Sequence, residues 1–325
     1  MEYHTTENDA INSERPATWV ESLPPELRPE KKSSQRYRMS AVIPPLHTLH
    51  SRHYRDNRFV YPVVSRRSKG ISLGVNLNPD KICNFDCIYC QVDRRSEAES
   101  DFVDLPAVLS ELRQLLEMAI SGQLYAAEPF NQVPPHLRRL NDIAFSGDGE
   151  PTTYRNFDEI VQQVANLKRE LNLPETKLVL ITNASMFHRP AVQRGLEILD
   201  QNQGEIWAKL DAGTAPYYHL IDRTKIPFQQ ILDNLLLAAR VRPLVIQSLF
   251  MRVEGVGPDA AERDAYCHHL HEIQANGGKL KLVQVYTVSR RPAESSVTSL
   301  TDAEVDAITE QVRMQTGLPA EAYYA

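Results

Sequence analysis

An α/β fold built on a parallel β-sheet is what this sequence predicts, and three observations predict it. From Ile71 onward, short runs rich in Val, Ile and Leu alternate six times with longer amphipathic stretches. Most of the short runs are apolar along their length, the pattern of strands covered on both faces. A strand followed by a helix, repeated, pairs its strands in parallel through right-handed crossovers. Six units fall short of the eight in a closed barrel, so a partial barrel and a doubly wound open sheet both satisfy the pattern.

Residues 1–40 are polar and rich in Pro, Glu and Lys, the composition of a poorly ordered leader. Residues 41–70 carry short apolar snatches (Val42-Ile43, Phe59-Val60-Tyr61, Val63-Val64) between basic residues, and read as an irregular arm on the body. The expected core domain runs from 71 to 292. Its strands fall at 72–77, 142–145, 177–182, 206–210, 244–250 and 279–286. Helices are expected over 105–120, 157–171, 190–201, 228–239 and 259–275. In the first of these, Leu105, Val108, Leu109, Leu112, Leu115, Leu116 and Ala119 form one apolar stripe. Residues 293–325 form a C-terminal extension, with a covering helix over 302–315.

Apolar residues make up 42% of the 325 and charged residues 24%, ample for a packed core. The net charge of −6 excludes a generic nucleic-acid binder. The charge is uneven: the first 70 residues hold 12 Lys and Arg against 8 Asp and Glu, or +4, which leaves −10 for the rest. A basic leader of this kind suits a solvated tail or contact with a polyanion. No secretory signal or membrane-length apolar run is visible, and the expected compartment is the reducing cytoplasm.

Chemistry concentrates in Cys83-x3-Cys87-x2-Cys90, three of the four cysteines in one short segment. Three thiolates so placed can hold three irons of a [4Fe–4S] cube and leave the fourth iron open to a small molecule. A structural zinc site needs a fourth ligand, which no nearby residue supplies. A buried helix face would also place such spacings on one side. Asn78-Pro79-Asp80 leading in, and Asn84 and Asp86 between the thiols, favour a loop.

A second motif, Ser146-Gly147-Asp148-Gly149-Glu150-Pro151, follows the second core strand. Its glycines let backbone approach a ligand closely, and carbonyls with carboxylates complement an ammonium. Thr182-Asn183 and Lys209-Leu210-Asp211 end the third and fourth strands, where a barrel places reactive groups. Gln247, Ser248 and Gln284 interrupt the last two core strands, as cavity-lining or satisfied core groups. Arg290-Arg291 follow the last core strand, as a barrel plug or an anion site. Cys267, His268, His269 and His271 look metal-like, but neighbours on a helix diverge by roughly 100°. Cys267 reads as a core thiol and the histidines as surface residues.

The cysteine spacing, Tyr89 before the last cysteine and the glycine-rich turn resemble the radical S-adenosylmethionine (radical SAM) enzymes. The likeness covers roughly residues 70–292. Ser72-Leu73-Gly74-Val75-Asn76-Leu77, the Gly-Asp-Gly-Glu-Pro turn and Leu210-Asp211-Ala212 are most similar to the wyosine-synthase-like branch, although no cysteines remain here for that branch's second cluster.

The resemblance implies an open, six-stranded partial (β/α)6 TIM-type barrel with an irregular N-terminal extension. It implies a [4Fe–4S] cluster on Cys83, Cys87 and Cys90, and S-adenosyl-L-methionine held near Tyr89, Ser146, Gly147, Asp148, Gly149, Glu150 and Asn183, with Lys209 or Asp211 at ribose or substrate. The implied reaction is reductive cleavage of that cofactor to a 5′-deoxyadenosyl radical that takes hydrogen from an unassigned substrate. That substrate is transfer RNA, a small molecule or a peptide. An electron donor such as flavodoxin or ferredoxin is the implied partner, and no membrane is involved. The competing expectation is a non-catalytic iron–sulfur or zinc protein, acting as a sensor or RNA-binding module.

Overall fold

Each of the six apolar runs becomes a strand of one sheet in the computed structural model of the chain, which describes residues 54–94, 96–98, 100 and 102–325. The expected leader, and the expected arm up to residue 53, lie outside the described residues. In chain order the strands are β1 (Val60–Ser65), β2 (Gly70–Val75), β3 (Leu140–Phe145), β4 (Lys177–Thr182), β5 (Gly204–Lys209), β6 (Leu244–Leu249), β7 (Met251–Val253), β8 (Leu280–Tyr286), β9 (Val297–Ser299) and β10 (Ala320–Tyr323). Helices intervene as α1 (Leu105–Ser121), α2 (Phe157–Glu170), α3 (Pro190–Asp200), α4 (Ala215–Asp222), α5 (Phe228–Val241), α6 (Ala260–Ala275) and α7 (Asp302–Thr316).

The main sheet has the order β1-β2-β3-β4-β5-β6-β8-β10, and β7 with β9 forms a separate two-stranded ribbon. All neighbours in the main sheet are parallel except β1, which pairs antiparallel with β2. The sheet thus has eight strands where six were expected. The apolar snatches at 60–64 are a regular strand rather than part of an irregular arm. Pro62 disguises that strand, because proline donates nothing to a ladder, yet an edge position tolerates it. Lying at the sheet's end, β1 is such an edge.

Alternate strand positions decide between the two architectures. Ile71, Leu73, Val75, Ile143, Phe145, Leu178, Leu180, Ile206, Ala208, Val283 and Val285 join the helices in one large core. Their neighbours Ala144, Val179, Trp207 and Val245 form a small separate cluster on the other face. A doubly wound sheet buries both faces under helices; here the second face borders a cavity lined by β1, β2, β3, β4, β5, β6, β8 and β10. Only a curled sheet brings its first and last strands around one space, so the fold is a partial barrel. Arg66, following β1, donates to the Tyr324 carbonyl beyond β10 and to Ser289 Oγ at 3.1 Å, which ties the two edges together.

Local signals fix the helix ends. Asp104 caps α1 by accepting the Ala107 N–H at 3.2 Å. A reciprocal Thr301–Glu304 capping box opens α7, which packs against β8 and β10. The short α4 escaped sequence reading because eight residues give too few turns for a visible stripe.

Candidate functional site

After β2 the chain leaves the sheet through Asn76 and Asn78, both buried, and enters the cysteine segment as a loop. Cys83, Cys87 and Cys90 are half-buried, and all three line a cavity of about 330 Å³. Phe85 and Ile88 anchor the loop in the core. Its backbone is held by distant segments. Asp86 and Ile88 donate N–H groups to the Asp222 and Ile221 carbonyls at 3.1 and 2.9 Å, at the end of α4. Thr224 Oγ1 donates to the Asn84 carbonyl at 2.9 Å. From beyond β8, Ala293 and Glu294 donate to the Cys90 and Ile88 carbonyls at 2.8 and 3.2 Å.

The electrostatics around the thiols are uneven. Cys87 Sγ donates to Asp222 Oδ1 at 3.3 Å; burial, and then the nearby Asp222 carboxylate, push its pKa well up. Burial also raises that of Cys83. Arg94 Nη2 lies 3.6 Å from Cys90 Sγ, a cationic donor suited to a thiolate. Among the described residues no group of three His, Cys, Asp or Glu converges on a single ion. All three thiols border the same space.

The turn after β3 docks directly on this loop. A Cβ on Gly147 would lie 2.2 Å from Asn76 Oδ1, and one on Gly149 only 2.2 Å from the Ile82 carbonyl. The glycines are therefore required by the chain's own backbone and side chains, closer than any ligand. Asn76 clamps the turn, accepting the Asp148 N–H at 3.1 Å and donating to Asp148 Oδ2 at 2.6 Å. Ser146 lines the cavity, and Tyr61 Oη donates to its carbonyl at 3.2 Å.

Glu150 is 3% exposed. Its Oε1 accepts Thr152 N at 3.1 Å, Thr152 Oγ1 at 2.5 Å and Thr182 Oγ1 at 2.6 Å, and its Oε2 accepts the Asn183 N–H at 2.7 Å. Burial raises its pKa although these bonds favour the ionised form. Asn183 in turn donates to Asn84 Oδ1 at 2.8 Å, and Asn84 donates to Ser185 Oγ at 2.7 Å. The predicted turn, the end of β4 and the cysteine loop are one hydrogen-bonded unit.

Tyr89 closes another side. Its hydroxyl donates to Asp211 Oδ2 at 2.5 Å and to Asp222 Oδ1 at 3.2 Å, and burial raises its pKa far above the phenolic range. Lys209 Nζ sits 3.0 Å from Asp211 Oδ2 and donates to Tyr286 Oη at 3.0 Å. Burial opposes its charge, but Asp211 and Tyr286 prevail and lift the ammonium above its ordinary value. Lys209 lines the cavity; Asp211 is buried, with its other oxygen accepting the Leu249 N–H at 2.7 Å.

Apart from Arg290, the other sequence candidates do not line this cavity. Gln247 donates to Gln284 Oε1 at 2.8 Å as a buried amide pair, and Ser248 bonds Tyr266 Oη at 2.6 Å. Cys267 is a buried core thiol on α6. His268 and His271 are exposed, whereas His269 is half-buried, bonds the Gly213 carbonyl at 2.9 Å and packs on Phe228. Arg290 lines the cavity. Sequence reading missed Asn76, Asn78, Asn84, Arg94 and Asp222. The two asparagines flanking Leu77 at a strand's end were a usable signal; the others had none.

Comparison with known proteins places this arrangement. The family model described as the Radical SAM superfamily matches residues 77–256. A GTPase Obg of Brachyspira hyodysenteriae is 24% identical over 254 residues, 78% of this chain and 33% of that protein. A UPF0026 protein of Helicobacter pylori is 25% identical over 203 residues, 61% of this chain and 57% of that protein. The chain thus spans between a third and somewhat over half of these curated relatives. A radical SAM methyltransferase from Sphaerobacter thermophilus superimposes with a TM-score of 0.56 at 12% identity, covering 82% of this chain and 69% of that one, a likeness of fold.

Proposed function

The chain belongs to the radical SAM superfamily, and from that premise we propose that it is an enzyme whose cavity binds a [4Fe–4S] cluster on Cys83, Cys87 and Cys90 together with S-adenosyl-L-methionine. One observation carries the reading: the three thiols, the Ser146–Glu150 turn and Asn183 all border the same cavity. Bound there, the cluster and cofactor would supply a 5′-deoxyadenosyl radical by reductive cleavage, able to take hydrogen from a substrate.

The chain's own residues have definable tasks in this scheme. The loop hydrogen bonds to 221–224 and 293–294 hold the three sulfurs toward the cavity. Arg94 sets a positively charged N–H donor 3.6 Å from Cys90 Sγ. Carbonyl groups of the 146–150 turn, immobilised by Asn76, offer acceptors for the cofactor's ammonium. The committed carboxylate of Glu150 aligns that turn with Asn183. Tyr89, fixed by Asp211, presents an aromatic wall beside the cysteines, and Ala144, Val179, Trp207 and Val245 make part of the sheet's inner face apolar.

The test is anaerobic reconstitution with iron and sulfide. The expected protein holds a [4Fe–4S] cluster by its spectroscopic signature and releases 5′-deoxyadenosine from S-adenosylmethionine under dithionite. Cys87→Ala should lose both. Stoichiometric zinc without iron, or cofactor cleavage surviving the substitution, would overturn the proposal.

A further inference from the structure

The cavity has a second pole, formed where the β1–β2 hairpin reaches across to β5 and β8. Arg67 lies at the tip of that hairpin and lines the cavity. Its guanidinium carbon stands 5.0 Å from the ring centroid of Tyr286 and 5.9 Å from that of Trp207. A guanidinium supported on aromatic rings keeps its in-plane N–H fork available to a planar or tetrahedral oxyanion.

Two neighbouring cations have partners of their own. Among the described residues no carboxylate lies within ion-pair distance of Arg67. Lys209 is paired with Asp211 at 3.0 Å, and Arg66 bonds Ser289 and the Tyr324 carbonyl. Of the acids that share the cavity, Asp142 accepts from Ser72, Asp148 from Asn76, and Glu150 from Thr152, Thr182 and Asn183. A half-buried cation without a counter-charge is costly, and an incoming anion relieves that cost. Arg67 precedes β2 and the cysteines follow it, so that strand separates them along the chain. From Tyr286, contacts run through Lys209, 3.0 Å from its hydroxyl, to Tyr89, whose ring centroid is 4.8 Å from Lys209 Nζ.

We infer that Arg67 anchors the anionic group of a small acidic substrate, a carboxylate or a phosphate ester, at the pole of the cavity remote from the cysteines. The inference rests on the proposed function, because it takes the cavity to be the reaction chamber. Bidentate capture at Arg67 would direct the substrate's reacting C–H bond toward the cysteine end.

Binding of inorganic pyrophosphate and of succinate is measured by anaerobic calorimetry on the reconstituted full chain, at ionic strength held constant with chloride. One of the two is expected to bind saturably, and the tighter one assigns the anion as phosphate or carboxylate. Arg67→Gln should weaken that binding at least tenfold. Arg67→Lys, which keeps charge but not the fork, should fall between, a gradation that simple misfolding does not produce. Equal affinity in wild type and Arg67→Gln, or no saturable binding of either probe, overturns the inference. So does a loss of S-adenosylmethionine affinity in Arg67→Gln with the probe unaffected, which would assign the anion to the cofactor's carboxylate. The same titration on a Cys83→Ala/Cys87→Ala/Cys90→Ala variant separates the two proposals. Arg67-dependent binding there, alongside failed cofactor cleavage in the wild type, would refute the radical chemistry and leave the anion site standing.

Discussion

Glu150 Oε2 accepts the backbone N–H of Asn183 at 2.7 Å, so the turn after β3 is bolted to the end of β4 by a buried carboxylate. Glu150→Ala strands the Thr182 hydroxyl, the Thr152 group and the Asn183 N–H together. With each orphaned buried group costing ~1–3 kcal/mol, the expected loss is at least about 3 kcal/mol. Glu150→Gln, which keeps an acceptor oxygen, should lose less than half of that. Urea unfolding of the three proteins checks both values, and a loss under 1 kcal/mol for the alanine variant would contradict this account.

Gly149→Ala places a methyl group 2.2 Å from the Ile82 carbonyl, next to the first cysteine. The backbone on both sides is fixed, so the clash should cost ~1–3 kcal/mol and shift the loop. Iron bound per chain after reconstitution should fall. Gly122→Ala is the matched control, since nothing lies within 4 Å of the added methyl and only the left-handed φ of 80° is strained. Its iron content should equal the wild type's.

Asp142 gives a pH prediction. Burial raises its pKa from 3.8 to about 6 in the folded chain, against the hydrogen bond that Ser72 Oγ donates. The folded state therefore binds the proton more tightly than the unfolded state does. Stability from this site is fully present below pH 3.8 and is lost as pH rises to about 6. The total is roughly 3 kcal/mol at 1.36 kcal/mol per pH unit. Asp142→Asn should flatten that slope and leave the variant at least as stable as wild type at pH 7. Denaturant midpoints at pH 4, 5, 6 and 7 measure it; parallel curves for the two proteins would exclude the effect.

Lys209 and Asp211 form a pair whose acid is 1% exposed and whose ammonium is 20% exposed. Lys209→Met leaves the carboxylate buried beside Tyr89 and should cost ~3–5 kcal/mol. Adding Asp211→Asn removes the stranded charge and should restore ~1–3 kcal/mol, seen as a positive coupling in a double-mutant cycle. Additive losses would mean that the pair does not act together.

What the sequence disclosed, and what it withheld, follows the range of each interaction. The six core strands and their helices were legible because apolar periodicity is local. Cys83, Cys87, Cys90, the 146–150 turn and Asn183 were legible as short motifs at strand ends, and they border one cavity. β1 stayed hidden behind Pro62, and β10 behind its four-residue length. The glycines of the turn were expected to admit a ligand, yet Asn76 and the Ile82 carbonyl fill the space beside them. Tyr89 and Asp211 are 122 residues apart, and nothing near either one announces the other. Arg67 read as one more basic residue, because its meaning depends on Trp207 and Tyr286 arriving from two other strands.

The bonds from Ala293 and Glu294 to the cysteine loop bear on biosynthesis. A nascent polypeptide that has exposed Cys90 to its surroundings still lacks the residues that brace this segment, because some two hundred more must leave the ribosome first. The cysteine segment therefore gains its full bracing only after translation has passed Glu294.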